Sequence, residues 1–405
     1  MSLLVDTRPL RDSAAFRRLW WGSGLSAIGS QMTTFAVALQ VFTLTHSSLA
    51  VGTVGLAAAV PAITAGLFGG PVIDAVDRHR LVLLTSSGLA VVSGLFAVQA
   101  YANLEQLWLL YALVALQGLL GAVDGPARRT FLARLLPADR VPAGAALTLF
   151  SVHLSVTAGP ALAGLLAAGW GLKVCYLLDA LSFAAALYSI ARLPAMRPQG
   201  GAARPGLTAV RDGLRFILGN RILSGALLAD VCATTLGMPF ALFPAINAAR
   251  FGGGAQTLGL LPAAVAVGGI IGSMVSGPVG KIRRPGRAML LAVAVWGAGL
   301  AGFGLVPGLW PALAMLVLAG AADAISVIFR TSMVQLNTPD QFRGRTSATE
   351  YVVGAACPYL GNFRAGAIGS LISPAVSATA GGLAVIASAA VIGLAVPGFA
   401  RYRAD

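Results

Sequence analysis

The chain is built from long apolar stretches separated by short polar segments. A helix needs about 20 predominantly apolar residues to cross the hydrocarbon core of a bilayer, and twelve stretches reach roughly that length. Those of the first half, spans 1 to 6, cover 18–44, 49–73, 81–101, 106–127, 141–168 and 172–192. Those of the second half, spans 7 to 12, cover 222–249, 256–280, 287–306, 309–334, 345–369 and 374–399. The pattern predicts an all-α membrane protein with 12 transmembrane helices.

Almost all of the Lys and Arg residues lie in segments on one side of the membrane. The 405 residues are 57% hydrophobic and 10% charged, whereas soluble domains carry roughly 25% charged residues, so a single soluble domain is excluded. The net charge is still +14. If the N-terminus is cytoplasmic, all but 3 of the 28 Lys and Arg residues fall on cytoplasmic segments, as the positive-inside rule requires. We expect a multi-pass protein of the cell (inner) membrane with both termini in the cytoplasm, and no nucleic-acid partner.

One long polar connection divides the chain into two halves. It begins with Pro, Gly and Arg residues typical of a linker and continues with apolar residues at helical spacing, which predicts an amphipathic surface helix. The predicted domains are a six-helix bundle at 1–193, a cytoplasmic linker with this helix at 194–221, and a second six-helix bundle at 222–405. Gly121-Ala122-Val123-Asp124 of span 4 matches Gly320-Ala321-Ala322-Asp323 of span 10. Two parallel repeats about an axis along the membrane normal would explain this match.

Several motifs resemble those of the major facilitator superfamily. The segment from Gly70 to Arg80 is similar to the family signature G-x-x-x-D-x-x-x-R-[KR]-[KR] between spans 2 and 3, and Ala158–Gly164 resembles the Gly-Pro motif of the family's exporters. Further segments are similar to the enterobactin (siderophore) exporter and drug-efflux branch: Ala322–Ser326, Gln335–Asp340 and Arg343-Gly344-Arg345. The resemblance covers essentially the whole chain. It implies two parallel six-helix bundles, transport by alternating access, a small-molecule substrate and proton coupling.

Two motifs depart from the family pattern. The signature usually has a basic residue where this chain has Ala75. In span 11 the exporter pattern L-G-E-F-E-S-G is replaced by Leu360-Gly361-Asn362-Phe363-Arg364-Ala365-Gly366. An amide and a guanidinium therefore stand where two carboxylates are expected, so the family's role for those carboxylates does not transfer directly.

The resemblance implies a gate on the cytoplasmic side. Asp74 lies where span 2 leaves the membrane, and a carboxylate there is favoured beside a helix N-terminus. Arg78 is predicted to pair with Asp124, and Asp323 with Arg283 or Arg284. Gly159 and Pro160 belong to the exporter motif and are candidates for the conformational change. The alternative is that these charged residues lie at the membrane interface only because of the orientation of the spans, and form no gate.

A polar stripe on span 1 predicts a cavity wall. Ser23, Ser26, Ser30, Thr33 and Gln40 recur at helical spacing, so they share one face, and such a face avoids lipid. The alternative is that the hydroxyls bond to their own helix. Gln117 of span 4 is a further cavity candidate. Arg330, Asn362 and Arg364 are candidates for binding substrate, although Arg364 could equally reach the lipid headgroups.

Three ionisable residues are candidates for carrying the coupled proton. Asp230 and Glu350 lie within spans 7 and 11, and His153 lies near the middle of span 5, where an imidazole of reference pKa about 6.5 can exchange a proton. The alternatives are charge pairs that hold helices together, such as Arg330 with Glu350, and a neutral histidine bonded to a carbonyl.

The sequence as a whole predicts a secondary active exporter of a small amphipathic molecule, a siderophore or drug-like compound, driven by protons and working by alternating access. The alternative is an importer, or a non-transporting sensor on the same scaffold. We expect no enzyme activity, because no catalytic constellation has plausible spacing. We also expect no cofactor and no metal site, and a monomer in the lipid bilayer.

Overall fold

Helices make up most of the described chain. The structure is a computed structural model, and it describes residues 6–68, 76–193, 207–275 and 282–403. In the first half the helices are α1 (Arg8–Asp12), α2 (Ala14–Thr45), α3 (Ser48–Phe68), α4 (Arg78–Tyr101), α5 (Leu107–Leu135), α6 (Val141–Trp170) and α7 (Leu172–Ala191). In the second half they are α8 (Leu207–Gly219), α9 (Arg221–Gly237), α10 (Phe243–Arg250), α11 (Ala255–Val275), α12 (Pro285–Leu305), α13 (Leu309–Asn337), α14 (Asp340–Leu371), α15 (Pro374–Ala395) and α16 (Pro397–Ala400).

The long helices correspond to the predicted spans. Within the described residues, 11 helical segments are long and apolar enough to cross a membrane. The twelfth prediction, span 11, corresponds to α14, which has 32 residues and a charged first part. The prediction of an all-α membrane protein of this helix order is confirmed. The predicted amphipathic helix after the linker is present as α8, whereas residues 194–206 lie outside the described part.

Span 7 differs from its prediction because it is broken. Instead of one helix over 222–249, α9 ends at Gly237 and a short 3₁₀ helix, Phe240–Leu242, precedes α10. Pro239 lies in the gap, and a proline lacks the N–H that a continuous helix needs at this point. Membrane helices tolerate such breaks only where other groups bond the freed backbone atoms.

The first compact unit comprises residues 1–40 and 57–204. Its core includes Leu19, Val82, Phe131 and Ile190, which are contributed by α2, α4, α5 and α7. Along α2, Gly29 faces the backbone of Asp179 on α7 so closely that an added Cβ would lie 2.9 Å from the Asp179 Cα. Small residues at such crossings are the usual way in which membrane helices pack tightly.

The second compact unit comprises residues 41–56 and 205–405. Its helices α11 and α13 pack with their backbones close together, since Gly268 faces the carbonyl of Val317 and Gly320 faces that of Val265. The amphipathic helix α8 packs on the first part of α14, where the Thr349 hydroxyl donates to the Val210 carbonyl at 3.0 Å. The end of α14 bonds to the first turn of α3, because the Leu49 amide donates to Ser370 Oγ at 2.9 Å.

Candidate functional site

The second unit contains a buried cluster of charged side chains from three helices. Arg330 of α13 donates through Nη1 to Glu350 Oε1 of α14 at 2.9 Å, and its Nε lies 3.4 Å from Asp230 Oδ1 of α9. The side chains of Arg330, Asp230 and Glu350 are 18%, 14% and 24% exposed. Asp323, two helical turns before Arg330 on α13, interacts electrostatically with both Asp230 and Arg330. Arg330 therefore bonds two carboxylates, and Asp323 is a third within range of its charge; we call these four residues the Arg330 cluster.

The cluster confirms one predicted pair and corrects another. Arg330 and Glu350 pair as expected. The pairing of Asp323 with Arg283 or Arg284 is wrong for the described residues, because Asp323 is half-buried beside Arg330 while both arginines are exposed at the start of α12. The meeting of Asp230 with Arg330 was not predicted, since sequence spacing carries no information about which face of α9 turns towards α13.

The break in span 7 is bonded on both sides by side chains of α14. Arg364 donates through Nε to the Thr235 carbonyl at 3.0 Å and through Nη2 to the Leu236 carbonyl, both in the last turn of α9. Asn362 accepts the Ala241 amide at 3.1 Å through Oδ1, on the other side of the break. A cation near a helix C-terminus is also favoured by the helix dipole. We call this arrangement the span 7 staple.

The staple accounts for the two departures from the exporter pattern in α14. A glutamate at position 364 could not donate to carbonyls, whereas a guanidinium supplies several donors and no acceptor. Both side chains bond to backbone groups in this structure, and Arg364 also borders a small cavity between α9, α12 and α15. Their role as substrate ligands stays a prediction. In this structure Arg364 does not reach the lipid headgroups, because its guanidinium bonds to the last turn of α9.

The first unit has its own buried ion pair, and it differs from the predicted gate. Asp124 pairs with Arg128, one turn later on α5, and accepts hydrogen bonds from Thr85 Oγ1 at 2.7 Å and Ser86 Oγ at 2.9 Å. The predicted partner Arg78 is not among the described contacts of Asp124. The nearer arginine is on the same helix at the i+4 position, which brings the two side chains together without any movement of α4. Asp74 lies outside the described residues.

Arg128 also reaches the polar stripe of α2. Its Nη1 donates to Ser23 Oγ at 3.0 Å and its Nη2 to Ser86 Oγ at 2.8 Å. This arginine was not predicted as a functional residue. A basic residue four positions after a buried carboxylate was the signal that could have identified it.

Ser26 and Thr33 of the stripe are buried, whereas Ser30 and Gln40 are half-buried and bond to side chains of α7 and α4. Ser26 and Thr33 are 7% and 0% exposed. Thr33 Oγ1 donates to Asp179 Oδ2 at 2.7 Å, and Ser30 Oγ lies 3.4 Å from Asp179 Oδ1. Gln40 exchanges two hydrogen bonds of 3.1 Å with Gln99 of α4. The role of Ser26 and Thr33 as cavity-wall residues stays a prediction.

Asp179 itself was missed in the sequence. It is 0% exposed and lies within α7, among apolar residues. A carboxylate inside an apolar span is costly and marks a functional site by default, so its position alone was a usable signal.

The remaining candidates have few contacts. His153 on α6 is exposed and Gln117 on α5 is half-buried. The carbonyl of His153 accepts the Thr157 hydroxyl at 2.9 Å. The described part of the structure does not bring either side chain into one of the clusters above.

The Gly-Pro motif lies where α6 packs most closely on α2. Gly159 and Pro160 are both buried, and a Cβ on Gly159 would overlap Gln31 and lie 3.2 Å from the Ile28 carbonyl. We expect Gly159→Val to cost about 1–3 kcal/mol of stability, as overpacking usually does. Thermal unfolding of the purified variant would measure this cost. The matched control is Gly169→Val at the end of α6, where an added Cβ meets no atom within 4 Å, and equal effects of both variants would contradict the prediction.

Comparisons with known proteins agree with this architecture. The sequence model of the transmembrane secretion effector family matches residues 6–401. The enterobactin exporter EntS of Shigella boydii serotype 18 and that of Escherichia coli O139:H28 are each 26% identical to the chain, over 99% of this chain and 96% of the relative.

Solved transporter structures share the fold at low sequence identity. A bacterial homologue of the iron transporter ferroportin, in an inward-facing state, has a TM-score of 0.72 at 16% identity and covers 96% of this chain and 99% of its own. A bacterial homologue of the lysosomal transporter Spinster has a TM-score of 0.74 at 15% identity and covers 99% of this chain and 100% of its own. These likenesses confirm the predicted fold, and the relatives confirm a transport protein rather than an enzyme. Because the family model spans almost the entire sequence, the chain belongs to the transmembrane secretion effector family of the major facilitator superfamily.

Proposed function

We propose that the protein is a proton-driven exporter of a small amphipathic molecule, working by alternating access in the cell (inner) membrane. The observation that carries the proton coupling is the Arg330 cluster, in which two carboxylates pair with one arginine and a third lies within range of its charge. If all four groups are ionised, the cluster has two negative charges without a counter-charge in a buried setting, which is costly. Binding of protons by the carboxylates would remove this cost.

The cluster is also positioned to respond to movement of helices. Asp230, Arg330 and Glu350 come from α9, α13 and α14, so any displacement of one helix changes the distance of an ion pair. Protonation of Glu350 or Asp230 would weaken its bond to Arg330 and free the arginine for the other partner. An exchange of this kind links the protonation state to the arrangement of the helices, as secondary transport requires.

The substrate proposal rests on the relatives. The curated relatives over nearly the full length are named enterobactin exporters, and we propose a siderophore of similar chemistry as substrate. Export is the proposed direction, with both termini in the cytoplasm and the protein acting as a monomer. The proposed gate keeps Asp74 and Arg78, from the connection between spans 2 and 3, together with the ion pair of Asp124 and Arg128 in α5.

Proteoliposomes with a defined pH gradient test this proposal, with enterobactin as the probe. We expect wild-type protein to move enterobactin against the proton gradient, and Asp230→Asn or Glu350→Gln to abolish this gradient-driven transport while enterobactin still binds. The physical reason is that neither amide can take up and release a proton.

The matched control is Glu105→Gln, which makes the same chemical change in the exposed connection between α4 and α5. This variant should transport like the wild type. Full gradient-driven transport by both cluster variants would refute the assignment of the coupling site. Transport only in the direction of the proton flow would instead favour the importer.

A further inference from the structure

We infer that Asp179 is a proton-binding site in the first unit, separate from the Arg330 cluster, and that its proton is exchanged during transport. This inference rests on the proposed proton-driven function and adds a site to it. The supporting observations are its complete burial, the identity of its partners, and the unequal surroundings of its two carboxyl oxygens.

All described partners of the Asp179 carboxyl group are hydroxyl groups. Oδ2 accepts Ser93 Oγ at 2.6 Å and Thr33 Oγ1 at 2.7 Å. Oδ1 has Ser30 Oγ at 3.4 Å, and the Ser182 hydroxyl, which donates to the Asp179 backbone carbonyl at 2.7 Å, is a further hydroxyl neighbour of the carboxyl group. Neutral hydroxyl donors stabilise a buried carboxylate less than a counter-charge does, and an ionised carboxylate buried without one is strongly disfavoured.

The charged and titratable groups on α2, α4, α6 and α7, the helices around the site, either bond to other groups or lie far along the helix from Asp179. Arg17, Arg18, Arg78, His79 and Arg80 lie at the starts of α2 and α4, at least 12 residues from the hydroxyls that contact Asp179. On α6, His153 is exposed. On α7, Lys173 lies over the Tyr101 ring at 5.4 Å, and the Tyr176 hydroxyl donates to Gln40 at 2.7 Å. None of them neutralises Asp179 in the described structure.

The different surroundings of the two carboxyl oxygens of Asp179 indicate that the proton is on Oδ1. Oδ2 with two short bonds is arranged as the carbonyl oxygen of a neutral acid. Oδ1 lacks a short donor, so its O–H can donate to Ser30 Oγ. Ser30 is half-buried, whereas Thr33 and Ser93 are buried, so the proton lies on the side of the site that is nearest to solvent.

The site also joins three helices, which links its protonation to movement. Asp179 belongs to α7, Ser93 to α4, and Ser30 and Thr33 to α2. Loss of the proton would leave a buried negative charge that three hydroxyl donors compensate only in part. The helices would then have to admit water or a cation to the carboxylate. Protonation therefore favours the closed packing at Gly29, and deprotonation favours its opening.

Infrared spectroscopy of the full-length protein in lipid nanodiscs tests the protonation directly. A neutral carboxyl group has a C=O stretching band that is separate from the amide bands and that disappears when the group ionises. We expect the difference between the wild-type and Asp179→Asn spectra at neutral pH to contain such a band, since the variant lacks the contribution of Asp179 while any protonated carboxyl group of the Arg330 cluster contributes to both. Asp124→Asn is the matched control, because Asp124 is equally buried but has Arg128 as a counter-charge, so this variant should keep the band.

A second variant decides the matter if Asp179→Asn does not fold. Ser93→Ala removes one donor from Oδ2, so the carbonyl bond strengthens and the band should move to higher frequency. An identical spectrum in the wild type, Asp179→Asn and Ser93→Ala would overturn the inference. A band that is lost on replacing choline chloride by sodium chloride would also overturn it, in favour of a sodium site.

Transport assays separate a coupled site from a static one. In proteoliposomes we expect Asp179→Asn to retain exchange of enterobactin across the membrane without a gradient, and to lose transport driven by a pH gradient to the level of protein-free vesicles. Unchanged gradient-driven transport would overturn the role in coupling. If the wild type itself does not transport enterobactin, the proposed function fails, whereas the infrared result still decides whether Asp179 holds a proton.

Discussion

Replacement of Arg330 by methionine is expected to destabilise the protein by about 3–5 kcal/mol, the usual cost of removing one partner from a buried ion pair. The variant leaves Asp230 and Glu350 without the cation that pairs with both of them, and Asp323 without the charge nearby. Their mutual repulsion and lost solvation account for the cost. The free energy of unfolding in a denaturant titration, or thermal unfolding in the same lipid, measures the effect.

Two controls make this prediction specific to the cluster. Arg283→Met removes an exposed arginine before α12 and should change stability little, as surface substitutions do. The triple variant Arg330→Met with Asp230→Asn and Glu350→Gln should recover most of the loss, because it removes the stranded charges together with their partner. Equal destabilisation by the single and triple variants would argue against an electrostatic origin.

Replacement of Arg364 by methionine is expected to loosen the broken span 7 and to cost about 3 kcal/mol or more. Two hydrogen bonds from a charged donor are lost, each worth about 1.5–3 kcal/mol, and the carbonyls of Thr235 and Leu236 lose this donor inside the protein. We also expect faster amide exchange across the break between α9 and α10. Hydrogen exchange followed by mass spectrometry would locate this change to residues 235–245.

The conservative variant Arg364→Lys distinguishes the staple from a simple charge effect. A lysine keeps the positive charge but lacks the planar set of donors that reaches two carbonyls at once, so it should restore only part of the stability. Asn362→Leu should raise exchange at Ala241 without affecting the carbonyl side of the break. If Arg364→Met kept wild-type stability and exchange but lost affinity for enterobactin, Arg364 would be a substrate ligand and not part of a staple.

Much of the fold was predictable because membrane insertion is governed by local properties. The length of an apolar stretch and the side on which basic residues lie can be read without knowing any tertiary contact. This is why the spans agree with the observed helices to within a few residues for most of the chain. The exception is span 7, where Pro239 breaks the helix although the stretch is apolar throughout.

The candidate site was less predictable because it depends on contacts between helices. The polar stripe of α2 was recognised as one face, but the sequence did not reveal that Asp179 and Gln99 lie opposite it. In the same way Glu350 was matched with Arg330 from their similar depth, while Asp230 was left without a partner. Depth follows from counting residues along a helix, whereas the rotation of each helix about its axis does not.

The sequence by itself therefore determined that this is an all-α membrane protein of the major facilitator fold, and it identified most of the charged residues inside the spans, with the exception of Asp179. Only the tertiary structure decided what those residues do with one another: three carboxylates gather around Arg330, Arg364 and Asn362 bind the backbone at a broken helix, and Asp179 is enclosed by hydroxyl groups. The physical reason is that whether a segment enters the lipid depends on the apolar character of its own residues. The partner that satisfies a buried polar group is supplied by another helix, which the chain reaches only after it has folded.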